Sequence, residues 1–270
     1  ILLTVVSFFP VFEVFNKGQA TFLLLYLLAI FYRQLRRGRD LPAGIALGLG
    51  LMKPQLTLLF LLWGIIHKRW RMVAAFSATA AALAATSLAI VGLGGIRQYL
   101  LLSRSAMLWE GPHSFLPVLM PNLRGTLVRA GRLFAWVGLD ILSARNILIL
   151  YFIATAALVV ILFYYLRGRG RKENGFDIDF TLVLLASLIL TPYVYNHDLA
   201  LILMVGFIVF GVYQARGVTD CGRRFVATSH IALMLALAFL PKPLSAQIVF
   251  FLLCGGLLLV YRIKHDGVCG

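Results

Sequence analysis

The chain has 270 residues, is 61% hydrophobic and carries only 13% charged residues, with a mean hydropathy of +0.92. That leaves too little polar surface for a water-soluble domain of this length and predicts an all-α fold, a polytopic transmembrane helical bundle. The net charge of +15 does not read as a nucleic-acid surface. Most Lys and Arg lie in short loops between apolar runs, so membrane lipids are the expected surroundings and nucleic acid is excluded as a partner.

Apolar segments run over 1–12, 19–33, 41–66, 72–93, 146–166, 178–194, 199–214, 225–240 and 245–262. Five basic clusters punctuate them, RQLRRGR (33–39), HKRWR (67–71), RGRGRK (167–172), RG…GRR (216–224) and RIK (262–264), and hold 16 of the 25 basic residues. The positive-inside rule puts these clusters on the cytoplasmic side. EVFNKG (13–18), the segment 94–145, PYVYNHD (192–198) and PKPLSA (241–246) then fall outside. The chain reads as one integral membrane domain: helices over 1–93, an extracytoplasmic segment over 94–145 and helices over 146–270. It opens at Ile1 inside an apolar run, which predicts a missing N-terminal portion and an inactive fragment if the missing helices carry part of the site.

One segment breaks the alternation. Both flanks of 41–66 are basic, so both ends are expected in the cytoplasm, which a single span does not allow. Lys53-Pro54 divides its 26 residues into pieces that each rise about 18 Å as a helix, short of a ~30 Å hydrocarbon core. The segment therefore predicts a hairpin of two short helices with Lys53, Pro54 and Gln55 at its tip. The competing reading is one kinked span with Lys53 snorkelling. A cation at the bilayer centre costs ~2.5–3.5 kcal/mol on insertion scales, so Lys53 needs a partner or a function. There is no acidic residue between Asp40 and Glu110. The expectation is that substrate, not protein, compensates Lys53, although Glu13 and Asp198 remain within reach of the fold. On that expectation Lys53→Gln cripples activity and leaves folding intact, and Lys53→Arg restores part of the rate.

In 94–145, GGIRQYLLLSRSAMLW (94–109) reads as an interfacial amphipathic helix and EGPHSFLPVLMPNLRG (110–125) as a Pro- and Gly-rich loop. GxG patterns in 44–50 read as packing glycines. Cys221, Cys254 and Cys269 show neither metal spacing nor a pairing pattern, and no structural disulfide is expected.

This topology gathers polar residues on one side of the membrane. They are Glu13, Asn16, Lys17 and Gln19; Lys53 and Gln55; Arg97, Arg104, Glu110, His113, Asn122 and Arg124; and Tyr193, Tyr195, Asn196, His197 and Asp198. Cations with few carboxylates suit a phosphate or diphosphate, and His197 beside Asp198 suits proton transfer. Plainer readings compete: a Glu13–Lys17 ion pair at i,i+4, head-group contacts for Arg97 and Arg104, and a helix-start role for Asp198. No metal set stands out.

Three stretches, FFPVFEVFNKGQATFLLL (8–25), AGIALGLGLMKPQLTLLFLLW (43–63) and LTPYVYNHDLALILM (190–204), resemble glycosyltransferase family 87, a family of GT-C-type membrane enzymes. The matching residues are Pro10 with Gly18-Gln19, Lys53-Pro54, and Thr191-Pro192 with Tyr195 and Asp198. The resemblance implies a hexosyltransferase, mannosyltransferase-like, that takes its sugar from a polyprenyl-phosphate donor on the extracytoplasmic face. It implies no nucleotide sugar and no cofactor. The acceptor would be a glycolipid, a lipid-linked oligosaccharide or a polysaccharide. It also implies an essential acidic residue in a first outer loop, which this chain does not supply at a matching position. On this reading His197 and Asp198 are catalytic. Lys53, Gln55, Asn16, Lys17, Gln19, His113, Asn122, Arg124 and Tyr195 bind substrate. The alternative is a transporter or flippase of an anionic lipid or solute, suggested by the broken helix at depth and disfavoured by the lack of an inverted repeat.

Overall fold

The computed structural model describes residues 8–108, 117–136, 143–167, 175–215, 224, 227–228, 231–237 and 240–265. The principal helices are α1 (Phe9–Asn16), α2 (Thr21–Arg36), α3 (Asp40–Leu49), α4 (Pro54–Ile66), α5 (Trp70–Leu108), α6 (Leu123–Trp136), α7 (Ala144–Arg167), α8 (Gly175–Leu190), α9 (Ile202–Ala215) and α10 (Lys242–His265). Short 3-10 turns occupy Gly50–Met52, Pro117–Leu119 and Asn196–Leu201, and among the described residues there is no strand. Trp70–Arg104, Arg145–Arg167 and Asn196–Ala215 are each long and apolar enough to cross a membrane.

Helix α8 is the centre of the bundle. Every residue from Asp177 to Leu190 except Asp179 is buried, as expected of a helix that is apolar all round. It packs against α4, α9 and α10. Phe180 meets Phe60 of α4 at 4.7 Å between ring centroids and Phe31 of α2 at 5.9 Å, and Phe31 and Phe60 meet edge-on at 5.4 Å. These three rings lock α2, α4 and α8 together midway along their lengths.

Segment 41–66 is broken as its sequence predicts. Proline bars the preceding residue from the helical region, and Lys53 takes φ −131°, ψ 72° between the Gly50–Met52 turn and α4. The two ends of the segment then meet. Arg69 Nη1 lies 2.7 Å from Asp40 Oδ1. Met72 touches both arms, its carbonyl close to Gly44 and its Cε close to Gly64. Lys53 is thus at the far tip, and the basic clusters 33–39 and 67–71 share the opposite end. Gly44 and Gly48, one turn apart, let α3 press on α5: a Cβ at Gly44 would lie 2.2 Å from the Met72 carbonyl oxygen, and one at Gly48 2.7 Å from Thr79 Cβ. The packing role read for the glycines of 44–50 is what these two do.

At Gly92, α5 breaks, with φ 65° and ψ 175°, a conformation open to glycine at little cost. Beyond it Leu93, Tyr99, Leu100 and Leu101 are exposed, on the stretch read as interfacial. The loop reading of 110–125 runs three residues too far, because Leu123–Gly125 form the first turn of α6. Pro121 and Gly125 suggested a loop, but Asn122 caps the helix. Its Oδ1 accepts a hydrogen bond from the Gly125 amide at 2.8 Å, satisfying one of the orphan donors of a helix start. Cys254 is a free thiol; Cys221 and Cys269 lie outside the described residues.

Two outcomes check this arrangement. Cysteines introduced at Arg39 and His67 are expected to react with an impermeant thiol reagent from the same side of the membrane; labelling from opposite sides would rule out the hairpin. Gly44→Ala is expected to lower stability by about 1–3 kcal/mol through overpacking against α5, read as the unfolding midpoint in detergent.

Candidate functional site

The tip of the hairpin meets the start of α2 and the Asn196–Leu201 turn. The Lys53 ammonium forms an ion pair with Asp198 Oδ1 and donates a hydrogen bond to Thr21 Oγ1 at 2.8 Å. Thr21 Oγ1 in turn donates to Asp198 Oδ1 at 3.3 Å. The other carboxylate oxygen accepts the Tyr195 amide at 3.1 Å, and His197 Nε2 lies 3.6 Å from it. Thr21, His197 and Asp198 are all buried, and the Lys53 side chain is 12% exposed.

The expectation that substrate alone compensates Lys53 is therefore corrected. Asp198, 145 positions away, lies against it. The physical reason is a fold that stacks the turn after α8 on the hairpin tip, which no local reading of charge between Asp40 and Glu110 reveals. The expected harmlessness of Lys53 replacement to folding falls as well, since removing the ammonium leaves a buried carboxylate without its counter-charge.

Asp198 is built into its turn. Its own amide donates to the Tyr195 carbonyl at 2.9 Å, the ladder bond of a 3-10 turn, while its side chain accepts the Tyr195 amide as the acidic residue of a capped helix start does. The helix-start role and the ion-pair role thus coexist. His197 stacks on the Tyr195 ring at 6.0 Å between centroids. Its Nδ1 is buried and has no hydrogen-bond partner among the described residues. A buried polar nitrogen left in this state costs ~1–3 kcal/mol.

The remaining predicted residues are placed unevenly. Lys17 pairs with Glu13 at i,i+4, the plainer of its two readings. Asn16 and Lys17 are exposed and Gln19 is half-buried, in the turn that Gly18 makes just before Thr21. Gln55 is half-buried in the first turn of α4. Asn122 is fully buried, and both ends of its amide are engaged. Besides capping α6 it donates from Nδ2 to the Thr191 carbonyl at 2.8 Å, which makes it a tie between α6 and the end of α8 rather than an open ligand. Arg124 is buried with its guanidinium over the Tyr193 ring at 5.3 Å. His113, like Glu110, lies outside the described residues. Among those described, no three of His, Cys, Asp and Glu come together in a way that would hold a metal ion.

Thr21 was missed by sequence reasoning, yet a signal exists. It opens the buried stripe of α2, which continues through Leu24, Leu28, Phe31 and Leu35. A hydroxyl at the head of an otherwise apolar stripe marks a polar contact inside the bundle.

Breaking the buried pair on one side is expected to be costly, and removing both charges is not. Lys53→Met is expected to destabilise by about 3–5 kcal/mol. The double variant Lys53→Met with Asp198→Leu is expected to recover most of that loss in thermal unfolding while remaining inactive. An equally unstable double variant would mean that packing, not charge, explains the effect.

Comparison with curated proteins and with solved structures gave no match. The model of glycosyltransferase family 87 matches residues 1–192, a range that contains Thr21 and Lys53 and stops just short of Tyr195, His197 and Asp198. With most of its length under that match and an apolar helical bundle around the site, the chain is an integral membrane protein that belongs to glycosyltransferase family 87.

Proposed function

We propose that the protein transfers a hexose, mannose in the first instance, from a polyprenyl-phosphate sugar to a lipid- or polysaccharide-linked acceptor on the extracytoplasmic face. The observation that carries this reading is the buried Lys53–Asp198 pair beside His197, whose Nδ1 has no hydrogen-bond partner among the described residues. A cation and a proton acceptor sit together at the end of the bundle opposite the basic clusters 33–39 and 67–71, as the positive-inside rule requires of an outward site.

The chemistry follows from the charges. The acceptor oxygen attacks the anomeric carbon, the bond from that carbon to the phosphate oxygen breaks, and the phosphate leaves on its prenol with one more negative charge. Lys53 stabilises that charge from a fixed position, which is how preorganised cations accelerate such a step. His197 Nδ1 takes the acceptor proton, and Asp198 favours the imidazolium that results. Asn16, Lys17 and Gln19 in the turn before Thr21, together with Gln55 after Pro54, supply polar contacts to the sugar. Tyr195 holds the His197 ring by stacking. Arg124 and Asn122 support the wall from α6.

The test uses the intact protein in liposomes, supplied with polyprenyl-phosphate mannose or a nucleotide mannose and a glycolipid acceptor. Transfer from the lipid-linked donor alone is expected. His197→Asn is expected to lower kcat by roughly 10²–10⁴. Movement of the lipid donor across the bilayer without sugar transfer would favour the transporter reading instead.

A further inference from the structure

We infer that Thr21 is the positioning residue that aims Lys53 at the donor phosphate, an inference that rests on the reading of Lys53 given above. Thr21 has no exposed surface, and among the described residues its hydroxyl bonds only to the ion pair: it accepts from Lys53 Nζ at 2.8 Å and donates to Asp198 Oδ1 at 3.3 Å. Other helical threonines here behave differently. Thr79, Thr86, Thr126 and Thr181 each return their hydroxyl to the carbonyl four residues back, the ordinary local bond of a helix threonine. Thr21 stands at the first position of α2, and its hydroxyl turns across the bundle instead.

The geometry explains why a second anchor matters. An ammonium on a four-carbon stem swivels readily, and Asp198 alone would leave it free to rotate about one contact. An ammonium carries three N–H donors. With one on Asp198 and one on Thr21, the direction of the third is fixed, and that is the donor left for a phosphate oxygen. Thr21 touches no substrate in this scheme and acts through Lys53.

The experiment compares Thr21→Val, which keeps the shape and removes the hydroxyl, with Thr21→Ser, which keeps the hydroxyl. Initial rates are measured in the intact reconstituted protein with polyprenyl-phosphate mannose and the glycolipid acceptor varied in turn. Thr21→Val is expected to lower kcat/KM for the donor by about tenfold to a hundredfold, the scale of an ångström-size misplacement. The KM for the donor rises, that for the acceptor stays unchanged, and Thr21→Ser recovers most of the loss. Wild-type donor kinetics in Thr21→Val would overturn the inference. So would a fall in kcat alone with both KM values unmoved and no rescue by serine, the pattern of a lost active fraction. A wild-type protein that takes no sugar from the lipid donor would overturn the functional reading itself, and this failure is visible before any variant is made.

Discussion

The site depends on a steric rule at one peptide bond. Proline at position 54 keeps Lys53 out of the helical region, so the backbone turns there and the ammonium is carried to the tip of two short helices instead of the wall of one long helix. The Asp198 pair can form only because of that turn. Both charges are largely buried, and a buried ion pair is poor value as a source of stability, since desolvation costs several kcal/mol per ion and apolar residues of like volume commonly serve as well. A pair of that kind at the meeting point of α2, α4 and the Asn196–Leu201 turn agrees with the role proposed for Lys53 toward an anionic donor.

The rest of the bundle holds that tip at a fixed height. Helix α2 descends about 24 Å over 16 residues from Thr21. At its far end Arg36 pairs with Asp177 at 3.4 Å, and Tyr32 donates to the same carboxylate at 2.8 Å. The Arg69–Asp40 pair closes the base of the hairpin. Two polar layers are thus separated by the Phe31, Phe60 and Phe180 rings. Apolar packing of this kind tolerates little sliding, so the hairpin and α8 keep their relative height, and with it the contact between Lys53 and Asp198.

What was legible in the sequence follows from how local its cause is. The helix break at Lys53-Pro54, the Glu13–Lys17 pair and the small-residue contact at Gly44 and Gly48 depend on neighbours along the chain or along one helix, and they were readable. The Lys53–Asp198 pair joins residues 145 apart, and counting carboxylates near Lys53 gave the wrong expectation. Asn122 illustrates a different failure. Pro121 and Gly125 around it signal a loop, but an Asn followed three residues later by a free amide is equally a helix start, and the buried Thr191 carbonyl that takes its Nδ2 is invisible without the fold. Thr21 was hidden by its apolar company, as a lone hydroxyl in a leucine-rich stripe carries no motif of its own.

The family match ends at residue 192, and His197 and Asp198, the proposed catalytic residues, come just after it. Geometry supplies the link that the match does not, because Lys53 and Thr21, inside the matched range, are bonded directly to Asp198. The same geometry weighs against alternating access. A transporter site sits near the midplane between two gates, whereas this ion pair lies at one end of α2, α4 and α8. Below it stand the three packed phenylalanine rings, then the Arg36–Asp177 and Arg69–Asp40 pairs. Opening a path from Lys53 to the opposite end would require parting the core rings and both ion pairs together. An enzyme that draws its lipid-linked donor and its acceptor from one side has no need of that path.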